Sequence, residues 1–119
     1  MLAPVLGIDI AKQRVEVALL VGGKVKNKSF NNTTEGFETL ALWLSKLGIS
    51  KVQACLEATG NYGEDLAIYL HEAGHSVSMV NPARIKGFSR SELIRTKTDK
   101  IDAGLIARFC LAMIELLLF

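Results

Sequence analysis

The sequence predicts an α/β domain with one mixed five-stranded sheet, in the order βββαβαβ, and helices on both faces; three observations predict it. Branched apolar residues fill 5–10 and 15–21 around a short polar break, and Gly22-Gly23 then leads into an alternating stretch at 24–30. That is the pattern of an antiparallel meander. Apolar residues next recur at helical spacing from Glu35 to Leu47 and again over 62–73, each run closed by a glycine, Gly48 or Gly74, where helix ends favour a left-handed residue. Each helical run is followed by a short apolar run, 52–56 and 77–80. A right-handed crossover therefore returns the chain to a parallel strand each time.

Each element has a local cause. Ala11-Lys12-Gln13-Arg14 is the polar turn between the first two strands, and Gly22-Gly23 is a tight hairpin signal. Val25 and Lys26 alternate as on an edge strand, and Asn31-Asn32-Thr33-Thr34 reads as a loop with a helix cap. Phe37, Leu40, Ala41, Leu44 and Leu47 make the apolar stripe of the first helix. Asn81-Pro82 stops the last strand. Residues 82–91 begin a helix, 92–98 are expected to be irregular, and the chain is expected to be helical from Asp99, with Ile101, Leu105, Ile106 and Phe109 near one face. A meander followed by helix-crossed parallel strands is the ribonuclease H-like layout, which by itself fixes no function.

Half of the 119 residues are hydrophobic, enough for the core of one domain, and no repeat, low-complexity tract or linker divides 1–119. Disordered and fibrous classes are excluded. A net charge of +2 does not argue for nucleic acid, so the placement of charge must. Seven of the 14 basic residues (Arg84, Lys86, Arg90, Arg95, Lys97, Lys100, Arg108) crowd one late segment against Glu92, Asp99 and Asp102. Arg84, Lys86, Arg90, Arg95, Lys97 and Lys100, with Lys12 in the first turn, are the candidate phosphate contacts; the alternative is a solvated loop. Cys55 and Cys110 have no metal-ligand spacing and read as reduced, buried thiols. No secretory signal is legible, because Asp9 interrupts the first apolar run, and a cytoplasmic protein is expected. Residues 105–119 are very apolar, yet they contain Arg108 and Glu115 and fall short of the about 20 residues that span a bilayer. The expectation is a helix that seeks a protein partner, by self-association or against a further domain, and no membrane.

Four carboxylates carry the chemistry. Asp9 interrupts an apolar strand, where an uncompensated charge is costly and a cation is the natural partner. Glu57 ends the next buried strand, at the carboxyl edge where open α/β sheets place ligands. Asp99 and Asp102 are three apart and share one face if helical. Such a cluster suits hard divalent cations such as Mg2+ or Mn2+, two of which clamp both sides of a phosphoryl displacement. Blander readings stand beside this one: Asp99 as an N-cap with Asp102 as its acidic partner, and Glu57 as a solvated strand end.

The stretches Gly7-Ile8-Asp9-Ile10-Ala11-Lys12, Leu56-Glu57-Ala58-Thr59-Gly60 and Lys97-Thr98-Asp99-Lys100-Ile101-Asp102-Ala103 resemble the signatures of the DEDD transposases of bacterial insertion sequences, the family of the pilin gene-inverting recombinase. The resemblance covers nearly the whole chain. It implies a RuvC-like fold similar to the Holliday-junction resolvases, with Asp9, Glu57, Asp99 and Asp102 as a catalytic, metal-binding tetrad. It further implies DNA strand exchange and, in insertion-sequence members, guidance by a structured RNA. Family members carry a second, serine-bearing domain that nothing in 1–119 matches, so a non-catalytic nucleic-acid-binding or dimerising remnant is the alternative.

Other signals compete. His71-Glu72-Ala73-Gly74-His75 matches the zinc-protease pattern, but Gly74 should end the helix before the second histidine and no third ligand is placed. Sugar kinases and actin-like ATPases share the opening meander, yet Gly22-Gly23 comes too late for their phosphate turn. Tyr62 and Phe88 read equally as base-stacking platforms or as packing.

Overall fold

The computed structural model describes residues 3–57, 60–92 and 101–116. In chain order the described elements are β1 (Val5–Ile10), β2 (Arg14–Val21), β3 (Lys24–Asn31), α1 (Thr34–Lys46), β4 (Gln53–Glu57), α2 (Glu64–Glu72), β5 (Ser76–Val80), α3 (Pro82–Ser91) and α4 (Ala103–Leu116). The sheet order is β3-β2-β1-β4-β5, with β1–β2 and β2–β3 antiparallel and β1–β4 and β4–β5 parallel. The expected βββαβαβ order is therefore the one found. The β2–β3 hairpin turns on Gly22 (φ 58°) and Gly23 (φ 75°), the doubly left-handed pair that a two-residue loop needs to match strand twist.

Helix boundaries follow their caps. Thr33 precedes α1 and its hydroxyl accepts the Gly36 amide at 3.1 Å. Asn81 caps α3 by accepting the Ala83 amide at 2.8 Å, with Pro82 in the first turn, where its missing N–H costs nothing. The last helix differs from expectation: it begins at Ala103, and Asp102 stands just before it. Asp99 and the stretch expected to be irregular, beyond Glu92, lie outside the described residues.

Strand alternation divides the core into two layers. Leu6 and Ile8 of β1 face α1 and α2, packing with Leu40, Leu44, Leu66 and Leu70. Val5 faces the other way and joins Cys55, Val80, Ile85, Ile106 and Phe109 under α3 and α4. Gly7 lies on that second face, and α4 comes down directly on it. A Cβ added there would stand 2.3 Å from both the Ala103 carbonyl oxygen and the Ala107 nitrogen. Leu111, two turns along α4, instead lines a groove with Pro4, Val5, Leu20 and Val21 at the opposite end of β1, so α4 runs antiparallel to that strand.

Candidate active site at the carboxyl edge of the sheet

Asp9 is half-buried near the end of β1, and Glu57, also half-buried, ends β4. These strands are parallel, and the register sets Ile8 beside Leu56, so Asp9 and Glu57 follow side by side on strands about 4.8 Å apart. Alternation puts both on the α4 face, because Gly7 meets α4 and Cys55 belongs to the cluster under it. Asp102 stands exposed just before α4. The Ala103 carbonyl is pressed against Gly7, and the chain just before it leads toward the carboxyl end of β1. Asp102 Oδ1 accepts the Leu105 amide at 2.8 Å and its carbonyl accepts the Ile106 amide at 3.0 Å. The cap of this helix is thus Asp102 itself, and a carboxylate there is favoured by the helix dipole. Among the described residues, no three His, Cys, Asp or Glu side chains are gathered closely enough to hold a metal ion together, and Asp99 lies outside those residues.

An organiser of this edge escaped the sequence reading. The Asn32 side-chain amide donates to the carbonyls of Ala11 (3.1 Å), Lys12 (3.4 Å) and Tyr62 (3.0 Å). It thereby ties the β1–β2 turn to the segment that enters α2, and Lys12 sits exposed on the turn so held. The sequence shows only a polar loop residue at Asn32; its three acceptors are distant in the chain.

The basic segment is divided by the fold. The Arg84 guanidinium lies 5.6 Å from the Phe109 ring centroid, with Nη2 3.6 Å from Met113 Sδ. This is two to three turns beyond Asp102 on α4, or roughly 10–16 Å along its axis. Phe88 stacks edge-on against the same ring at 5.7 Å, so it packs the α3–α4 seam, whereas Tyr62 is exposed. Lys86 and Arg90 are exposed on α3. Arg95, Lys97 and Lys100 lie outside the described residues.

The zinc-like pattern resolves as anticipated from Gly74. Helix α2 ends at Glu72, Gly74 has φ 95°, and His75 Nδ1 accepts the Val52 amide at 3.0 Å. Burial, followed by the charge of Lys51, holds the His75 pKa below its ordinary value. Cys55 and Cys110 are both buried and reduced, as expected. Far apart in sequence, they meet across β4 and α4, and the Cys110 thiol is held above its ordinary range by its hydrogen bond to Cys55 and by burial.

The family model described as a transposase, of the DEDD insertion-sequence type, matches residues 6–118. The chain belongs to the DEDD transposase family. The chain is 41% identical over 106 residues to the pilin gene-inverting protein of Moraxella bovis, a match covering 87% of the chain and 33% of that protein. It therefore spans about a third of the length of the curated relatives it matches. Its fold is that of RuvC from T. thermophilus, solved with a Holliday junction substrate: TM-score 0.58 at 13% identity, covering 93% of this chain and 96% of that one. A Bacteroides thetaiotaomicron protein with an actin-like ATPase fold and unknown function is also similar, at TM-score 0.54 and 17% identity, over 68% of this chain and 34% of that one. The ribonuclease H-like, RuvC-like architecture expected from the sequence is the one present.

Proposed function

We propose that this chain is the carboxylate-bearing domain of a DNA recombinase that acts on phosphodiester bonds during transposition. In this reading Asp9, Glu57 and Asp102, together with Asp99, hold Mg2+ or Mn2+ at the carboxyl edge. The carrying observation is the side-by-side register of Asp9 and Glu57 on one sheet face, with the start of α4 laid over Gly7 on that same face. The donor set fits such an ion, since carboxylate oxygens are the ligands hard divalent cations take. Asp102 commits Oδ1 to the Leu105 amide and retains its second oxygen for a ligand. When bound, the metal supplies positive charge against the charge that develops on the phosphate. The protein side chains do the remaining work. Two rigid strands orient Asp9 and Glu57, the cap fixes Asp102 so that little rotamer freedom is lost on ligation, and Lys12 with the exposed α3 cations neutralises flanking phosphates. Family membership supports DNA as the partner, and by the same resemblance a structured guide RNA and assembly with further copies belong to the reading.

The test is calorimetric titration of Mn2+ into this chain, alone and with a four-way DNA junction, repeated with Asp9→Asn and Asp102→Asn. Asparagine caps a helix about as well as aspartate, so Asp102→Asn should keep the thermal midpoint while losing the metal. Saturable binding lost in both variants is expected. Binding that survives Asp9→Asn unchanged would refute the assignment, and so would the absence of binding to wild type with and without the junction.

A further inference from the structure

Arg108 lies on α4 six residues after Asp102 and forms a two-pronged ion pair with Glu92, the residue that ends α3. Its Nε is 2.8 Å from Glu92 Oε2 and its Nη2 is 3.2 Å from Oε1. The Glu92 side chain is 19% exposed and that of Arg108 is 49% exposed, so the guanidinium binds a carboxylate with one edge and keeps water on the other. A carbon placed on Gly104 would be 3.5 Å from Arg108 Nη1 and 3.4 Å from Asp102 Oδ1, which puts those two atoms within about 7 Å of each other, inside the screening length of physiological salt. With no side chain at Gly104, the helix surface between them is bare. The guanidinium is held charged first by its hydrogen bond to Glu92, and Asp102 adds to the effect.

We infer that Arg108 is a phosphate-binding residue of the carboxyl edge, and that Glu92 is its resting counter-ion, exchanged for a nucleic-acid phosphate that arrives beside Asp102. The inference rests on the reading of this edge as a nucleic-acid site. The arginine fork presents parallel N–H donors that carboxylate and phosphate accept in the same geometry, so one oxyanion replaces the other without moving α4. The two bonds given up to Glu92 are remade to the phosphate, and the exposed face of Arg108 gives the incoming oxyanion access, so the exchange leaves no guanidinium donor unpaired. In the free protein Glu92 also keeps the guanidinium off Asp102, where it would compete with a cation. This gives Glu92 and Arg108 opposite signs of effect on binding, which a purely structural clasp does not.

The test measures anisotropy of a fluorescein-labelled four-way DNA junction titrated with the chain in EDTA, over a series of salt concentrations. Arg108→Gln is expected to weaken binding by about tenfold and to lower the slope of log Kd against log salt by about 0.9, the loss of one phosphate contact. Glu92→Gln frees the guanidinium and removes a like charge, so it is expected to tighten binding. Arg108→Lys keeps the charge without the fork; it should keep the slope and lose part of the affinity, which covers the case in which Arg108→Gln folds poorly. Weaker binding by Glu92→Gln, with a matching fall in thermal midpoint, would overturn the inference in favour of a structural clasp. An unchanged Kd and slope in Arg108→Gln would overturn it as well. Failure of wild type to bind the junction at any salt would overturn the nucleic-acid reading itself, before any variant is compared.

Discussion

Gly7→Ala is the sharpest test of how this fold positions its site. The added methyl carbon would stand 2.3 Å from the Ala103 oxygen, 2.3 Å from the Ala107 nitrogen and 2.7 Å from the Ala107 Cα, where unstrained contacts lie near 3.5 Å. All three are backbone atoms, so no side chain can rotate away. Relief requires lifting α4 off β1 by about 1 Å, which loosens packing along a helix that buries Leu105, Ile106, Ala107, Phe109 and Cys110. Overpacking of this kind costs about 1–3 kcal/mol, and backbone on both sides puts the expectation near 3 kcal/mol. At about 4 °C or more per kcal/mol for a domain near this size, the thermal midpoint should fall by roughly 10–15 °C. Urea unfolding followed by circular dichroism measures the difference, with Gly87→Ala as the matched control. Gly87 sits within α3 with no atom within 4 Å of an added Cβ, so the same methyl should stabilise the protein there by about 0.5–1 kcal/mol. A Gly7→Ala protein within about 0.5 kcal/mol of wild type would refute the claim that α4 backbone is seated on this glycine.

Three further outcomes follow from the hydrogen bonds. Asn32→Ala leaves the carbonyls of Ala11, Lys12 and Tyr62 without this donor and should cost about 1–3 kcal/mol in the same urea assay; an unchanged midpoint would mean that solvent replaces all three bonds. Asp102→Ala should lose about 1 kcal/mol as a missing cap, and Asp102→Asn almost none; equal losses would show that charge rather than capping is the source. His75 accepts the Val52 amide only while its ring is neutral, and its folded pKa is depressed below 6.5. The unfolded chain therefore takes up the proton first. The contribution of His75 to stability is complete above about pH 6.5 and is lost as pH falls from there through the folded value. Denaturation midpoints compared between wild type and His75→Ala over that window should converge toward acid; parallel curves would refute the linkage.

Much of the fold was readable because its causes are local. Gly22-Gly23 announces the hairpin, Gly48 and Gly74 close two helices, and Asn81-Pro82 both stops a strand and caps α3. The start of α4 differs from the sequence expectation for an equally physical reason. Two aspartates at helical spacing can both belong to a helix, or one of them can stand outside as its cap, and composition does not distinguish these. The observed hydrogen bond from the Leu105 amide to Asp102 does. Cys55 and Cys110 show the same limit. Burial was legible from their apolar surroundings, but their contact was not, because it is made by the seating of α4 on β4.

Asp9 is legible as a charge inside an apolar run, Glu57 as the end of a buried strand and Asp102 by its spacing from Asp99, yet what would align them has no chemistry of its own. Asp9 and Glu57 come together through strand register, which alternation within each strand already constrains. The start of α4, with Asp102 just before it, is seated on β1 at Gly7, a position that a strand-based reading treats as a weakness. A reactive side chain is conspicuous where it breaks a pattern, whereas a positioning glycine is inconspicuous until the opposing backbone is in place. The same holds for Asn32 and Glu92, whose partners lie on other elements. In the proposed site, substitutions at Gly7 should therefore weaken metal binding, through displacement of Asp102 rather than loss of a ligand. Calorimetry on Gly7→Ala at a temperature where it remains folded would separate the two: a weakened but saturable Mn2+ isotherm is the signature of displacement, and an isotherm identical to wild type would break the link between this contact and the site.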